Sequence, residues 1–196
     1  MPSRSSDPFG AALDGALQTV VAAVVARGRP RPCVLIDGRS GSGKTTLAAR
    51  LAEGWPLAEE PQVVAMDDFY PGWDGLDEAS RMLVTDILRP RADGGAVRYR
   101  RWDWEASRPR GLSEAGRVAP DRGLVIEGCG ALTPQSRPYA DVAVWVDAPE
   151  ASRRARALER DGDGYAPHWE RWARQEDAHI AAHAPTRLAD LVFRLP

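Results

Sequence analysis

Two cysteines in 196 residues, Cys33 and Cys129, are too few and too far apart for a disulfide framework or a paired-thiol metal site. Both stand in apolar runs, so they read as buried free thiols, which suits a reducing cytoplasm. Neither sign of charge is in excess. A formal net charge of −2 argues against a general nucleic-acid binder. No run reaches the roughly 18 apolar residues of a membrane span, so no membrane partner is expected. The nearest stretch, 9–26, places Phe9, Leu13, Leu17, Val20, Val21 and Val24 at helical spacing and is interrupted by Asp14 and Gln18. With Asp7-Pro8 as a start and Gly28 with Pro30 as a stop, it predicts an amphipathic helix packed on the domain. A basic n-region and a cleavage site are both missing, so a signal peptide is not expected. His168, His179 and His183 lack the E-x-x-H spacing of a zinc site. The N-K-x-D signature of GTPases and the L-S-G-G-Q signature of transporter ATPases are absent too, as are repeats and low-complexity tails.

What the chain does have is concentrated in short apolar runs and the residues just after them. Runs at 33–37, 62–66, 124–127 and 142–146, with a weaker one at 188–193, read as strands. Helical patterns fall at 44–53, 77–88, 150–161 and 168–183. Strands alternating with helices predict one α/β domain, a three-layer sandwich around a parallel sheet. The segment 90–122, rich in Gly, Pro and Arg, predicts an excursion or hairpin over the site, and the first eight residues are expected to be mobile. Ligands in such sheets bind beyond the carboxyl ends of the strands.

The first run leads into "VLIDGRSGSGKTTLAARL", which fits G-x-x-x-x-G-K-[ST] from Gly38 to Thr45. Gly38, Gly41 and Gly43 let the backbone curl with Ser40 and Ser42 so that N–H groups face a phosphate. The helix that follows, opening on Lys44, Thr45 and Thr46, adds the positive end of its dipole. Lys44 is expected on the β- and γ-phosphates of ATP, and the Thr45 hydroxyl on Mg²⁺.

The second run ends in "MDDFY", where Asp67 or Asp68 either takes the proton of an acceptor hydroxyl or caps a turn with Pro71. Glu127 closes "LVIE", either in the Mg²⁺ shell or as a paired carboxylate at a strand edge. Arg153, Arg156 and Arg160 share one helical face, suited to a lid at 150–167 closing on phosphates or to a solvated surface. Seven tryptophans are many for this length; Trp102 and Trp104 in "YRRWDW" could stack on a base or sugar, or pack in a core.

Taken together, these motifs resemble the uridine kinase family of phosphate-loop nucleoside kinases, related to pantothenate kinase and phosphoribulokinase. "GRSGSGKTTLA" is similar to its phosphate loop, "MDDFY" to its D-x-F-Y motif, "VIEG" to its acidic strand, and "VDAPEASRRARALERD" to its lid; "PTRLADLVF" resembles its closing segment. The resemblance covers about 31–196. It implies a phosphate-loop kinase fold with a five-stranded parallel sheet in the order 2-3-1-4-5, and ATP-dependent phosphoryl transfer to a small hydroxyl acceptor, a nucleoside. By the same resemblance Asp67 is the base, Tyr70 lines the acceptor pocket, Asp74 holds acceptor hydroxyls, and Arg153, Arg156 and Arg160 face phosphates. The histidine of the family's Y-D-F-x-x-H segment is missing from "RRWDWEASRP". Kinases for sugars, vitamin precursors or secondary metabolites, and a regulatory ATPase module, share the donor half of these motifs.

Overall fold

A computed structural model describes residues 7–196; the expectation of a mobile start lies outside the described residues for 1–6. Asp7 accepts the Phe9 amide at 3.1 Å and caps helix α1 (Pro8–Ala26), with Pro8 at a position where its missing N–H costs nothing. Strand β1 (Cys33–Gly38) runs through the phosphate-loop sequence into α2 (Lys44–Glu53), and β2 (Gln62–Ala65) follows. Next come α3 (Leu76–Met82), a wider π turn at Leu83–Leu88 and the short α4 (Arg89–Ala92). One helix over 77–88 was expected. Pro90 has no N–H for the turn behind it, and the wider turn ahead of it takes up the mismatch.

The glycine- and arginine-rich segment folds as two small antiparallel pairs. β3 (Val97–Tyr99) pairs with β6 (Gly116–Val118), and β4 (Trp102–Asp103) with β5 (Arg108–Pro109). The chain returns through β7 (Leu124–Glu127), β8 (Val142–Asp147), α5 (Glu150–Asp161), α6 (Trp169–His183), α7 (Pro185–Leu188) and β9 (Leu191–Arg194). The central sheet is all parallel in the order β2-β7-β1-β8-β9. Counting only its own strands, that is the expected 2-3-1-4-5.

β1 is buried along its whole length because it lies between two other buried strands. Its alternation divides the core: Val34 and Ile36 pack with Leu13, Val20, Leu47 and Leu51 of α1 and α2. Cys33 and Leu35 face the opposite layer, with Leu83, Ile87 and Trp172. Nineteen residues of α1 are long and apolar enough, by length and composition, to cross a membrane. In this fold Leu13, Ala16, Val20 and Val24 are buried on the sheet. The parallel arrangement brings Gly38, Glu127 and Asp147 to one edge, where the cleft opens.

Candidate functional site

The residues after β1 close into a tight loop. A Cβ at Gly38 would run into the Val146 carbonyl oxygen, and one at Gly41, held at φ +74°, into the Arg153 carbonyl oxygen. Only glycine lets the main chain pass this near its neighbours. No side chain caps α2, so its first-turn N–H groups open on the cleft. Ser40, Gly41, Gly43, Lys44, Thr45 and Thr46 line that cleft, whose volume is about 860 Å³. Gly38 and Ser42 do not; Ser42 is fully buried in the body of the loop. Three amides depart from the expected inward ring: Ser40 N–H donates at 2.6 Å to the Glu176 carboxylate of α6, Ser42 N–H at 3.1 Å to the Arg39 carbonyl, and Gly38 N–H at 2.6 Å to the Asp37 carboxylate.

Lys44 is the only lysine in the sequence. Its Nζ donates to the Arg39 carbonyl at 2.9 Å and lies 3.6 Å from the Cys129 sulfur. Burial works against its charge, but the Cys129 sulfur and the carboxylates of Glu127, Glu176 and Asp37 outweigh that, so the ammonium is held above its ordinary range. The Thr45 hydroxyl stands 3.2 Å from both Glu127 oxygens. Burial raises the Glu127 carboxyl, with Lys44 pulling the other way. A hydroxyl beside a buried carboxylate is the oxygen donor set that Mg²⁺ accepts when substrate phosphates and water complete its shell. No group of three or more His, Cys, Asp or Glu gathers as an all-protein metal site among the described residues.

Across the cleft the structure separates the two aspartates. Asp67 lines the cleft; Asp68 turns away and pairs with Arg101 at 3.0 Å. The Asp67 side chain is open at the mouth, yet the walls raise its carboxyl through desolvation, with Arg160 and Lys44 opposing. Trp104 Nε1 donates at 2.8 Å to the Asp67 carbonyl and fixes the turn. Tyr70 is buried against the cleft, its hydroxyl donating to the Cys129 carbonyl at 2.7 Å, and burial keeps that phenol well above its ordinary range. Trp73, Trp104, Tyr165 and Trp172 complete an aromatic wall, in which Trp73 stacks on His168 at 4.1 Å and on Tyr165 at 5.6 Å.

Four expectations move. Asp74 does not reach the cleft: it is exposed and forms a two-pronged pair with Arg171 of α6, because the short link from Tyr70 carries it past the rim. Trp102 lies behind the wall against Gly72, outside the cleft. Arg153 is buried beneath the loop, donating to the carbonyls of Ser40 at 3.2 Å and Ala148 at 3.1 Å, so it supports the loop from behind. Arg156 does line the cleft, but its Nε is spent on the Gly41 carbonyl at 2.9 Å. Only Arg160 keeps the expected stance. It faces the cleft, paired with Asp161, and the field of that pair, with Asp67 and Glu127, raises its proton affinity.

Sequence reasoning missed the part played by α6. Glu176 and His179, three apart on its buried face, hold the loop and the strand end before it. His179 Nε2 lies 3.0 Å from Asp37, whose carboxylate also accepts the amides of Gly38, Gly130 and Leu132. Arg39 reaches the same helix, 2.5 Å from Asp177 and 3.6 Å from Glu176. The spacing of Glu176 and His179 was visible; their target was not.

No protein-family model and no curated protein sequence matches the chain. Solved structures do. A possible uridine kinase from Bacillus stearothermophilus superposes with a TM-score of 0.68 at 22% identity, over 92% of this chain and 98% of that one. A putative fructose transport system kinase from Silicibacter sp. TM1040 gives 0.58 at 24%, over 90% and 98%. The YGR205w protein gives 0.56 at 11%, over 93% of each. The chain has the phosphate-loop kinase fold. Within that fold the cleft offers a nest of amides and a buried ammonium on one wall, and a carboxylate among aromatic rings on the other.

Proposed function

We propose that this protein is an ATP-dependent small-molecule kinase that transfers the γ-phosphoryl group to a hydroxyl, with a nucleoside as the acceptor. The observation that carries the reading is the presence of Asp67 in the same cleft as the phosphate loop, beside Tyr70 and Trp104. The triphosphate lies along the amides of Gly41, Gly43, Lys44, Thr45 and Thr46, with Lys44 on its β- and γ-oxygens. Thr45 and Glu127 hold Mg²⁺, which supplies neutralisation of phosphate charge. Asp67 accepts a hydrogen bond from the acceptor hydroxyl and orients its oxygen in line with the γ-phosphorus.

As the new O–P bond forms, the bond from the γ-phosphorus to the bridging oxygen breaks and its electron pair leaves with ADP. The hydroxyl proton passes to Asp67, whose affinity for it the cleft walls already raise. Lys44 and Arg160 stabilise charge on the moving group. The rings of Trp73, Trp104 and Tyr165 suit a flat base.

A panel of nucleosides, sugars and pantothenate-like alcohols incubated with ATP and Mg²⁺, read by mass spectrometry, tests this. A nucleoside monophosphate product is expected. Phosphorylation of another alcohol alone moves the acceptor class and keeps the kinase. ADP release that no alcohol accelerates and a protein partner does would mark a regulatory ATPase instead.

A further inference from the structure

Helix α6 is bonded to both walls of the cleft, and neighbouring residues on it divide the work. Glu176 accepts the Ser40 N–H of the phosphate loop at 2.6 Å, and Asp177 lies 2.5 Å from Arg39. One residue earlier, Gln175 reaches the other wall. Its Nε2 donates to the Trp73 carbonyl at 2.6 Å, and its Oε1 accepts the Leu76 N–H at 3.3 Å. We infer that Gln175 is a positioning residue that makes the aromatic acceptor wall answer to the loading of the phosphate loop. This rests on the nucleotide-binding part of the reading above and not on which alcohol is phosphorylated.

The segment 71–76 needs such a partner. Gly72 and Gly75 bring no side chain to it, and α3 starts after Gly75 with no side-chain cap, so its first-turn N–H groups lack a local acceptor. Gly72 N–H donates to the Tyr70 carbonyl at 2.8 Å and Gly75 N–H to the Gly72 carbonyl at 3.2 Å, which closes two turns but ties neither to the rest of the fold. A carboxamide has donors and an acceptor side by side, which is what the carbonyl of Trp73 and the amide of Leu76 require together. Two more residues of α6 touch the segment. Arg171 pairs with Asp74 in the open, where an ion pair holds little. Trp172 packs edge-on against Tyr70 at 4.7 Å and Trp73 at 6.4 Å, a contact between rings that leaves the main chain unfixed. Gln175 alone of the three bonds to the backbone that carries Trp73.

Gln175 and Glu176 are adjacent in one hydrogen-bonded helix, so neither shifts alone. A triphosphate in the loop fixes the loop backbone, Glu176 holds that backbone to α6, and Gln175 passes the constraint to the main chain of the opposite wall. The wall that carries Trp73 is then set before the acceptor arrives. The coupling is reciprocal, so an alcohol held by that wall also tightens the nucleotide.

Hydrogen exchange read by mass spectrometry, with and without Mg²⁺-AMP-PNP, tests this without any acceptor. In the parent protein the nucleotide slows exchange of the 72–76 amides by about fivefold or more. Gln175→Met keeps the length and packing of the side chain and removes both bonds, whereas Gln175→Glu keeps the acceptor for Leu76 and removes the donor to Trp73. In each variant the nucleotide leaves those amides within about twofold of their ligand-free rate, while calorimetry finds its affinity within about threefold of the parent. A merely structural role would speed exchange alike in both states and preserve the effect of the nucleotide. Slowing by direct contact with the nucleotide would survive both substitutions. Either result overturns the inference. So does a parent that binds Mg²⁺-AMP-PNP with no slowing at 72–76, and the phosphate-loop reading then stands. A parent that binds no nucleotide overturns both.

Discussion

The wall of the cleft that carries the phosphate loop is made mostly of main chain, whereas the wall facing it is made of side chains. On the first, Gly38 and Gly41 pass so near the carbonyls of Val146 and Arg153 that no other residue fits. On the second, Asp67, Tyr70, Trp73 and Trp104 come from the turns after β2 and from the small antiparallel pairs that lie over the sheet. A wall of amides serves any phosphate chain and tolerates little change. One built from side chains on loops can exchange rings and carboxylates without disturbing the sheet, and under the proposed function that is where the acceptor would be chosen.

The sharpest way to test that contrast is Asp67→Asn. It should lower kcat by about 10²–10⁴-fold, since an amide cannot take the hydroxyl proton, with ATP affinity within about twofold of the parent. Transfer at the parent rate in single-turnover assays would remove Asp67 from its role. On the other wall, Gly41→Ala should damage stability and binding together. The added carbon meets main chain at a positive φ, at a cost of about 2–4 kcal/mol, and urea unfolding with calorimetry reads both losses.

A smaller effect separates shape from charge under the loop. Glu176→Ala leaves the Ser40 N–H buried without its acceptor and should cost about 1–3 kcal/mol. Glu176→Gln keeps an oxygen there and should raise Tm at neutral pH, by about 2–4 °C for each kcal/mol relieved. The sign follows from burial, which lifts the carboxyls of Glu176 and Glu127 above their ordinary 4.5, although the Ser40 amide and Lys44 respectively oppose it. Between the ordinary and the raised values the folded protein holds more protons than the unfolded chain, so stability falls as pH rises through that window. Urea midpoints of the ligand-free protein should show this fall, and Glu176→Gln should flatten it. The smallest effects belong to Asp74→Ala and Trp102→Phe, outside the cleft: kcat/KM with the nucleoside should stay within about twofold.

Much of the fold was legible because its constraints are local. The apolar runs ended within one residue of the strand ends, and the spacing from Gly38 to Thr45 states the loop's backbone needs residue by residue. The site was legible where a residue's place depends on its own strand, as for Glu127 at the end of β7 beside Thr45. It was illegible where the task depends on what packs opposite. Helical spacing put Arg153, Arg156 and Arg160 on one face, but the face wraps around the loop, so one is buried, one is tied to Gly41 and one is open. Asp67 and Asp68 are equivalent in composition, and only Arg101, on a distant hairpin, distinguishes them. Glu176 meets Ser40 across 136 residues, a pairing that no period in the sequence encodes.

That long reach has a consequence for the chain as it is made. β1 takes both its neighbours, β7 and β8, from beyond residue 123, and the helix that clamps its loop arrives later still. A ribosome that has released only the first hundred residues has released every glycine of the nest but neither strand that flanks β1 nor the helix that clamps the loop, so the nascent half lacks a finished nest. Competence arrives late and all together, once the last quarter of the polypeptide docks.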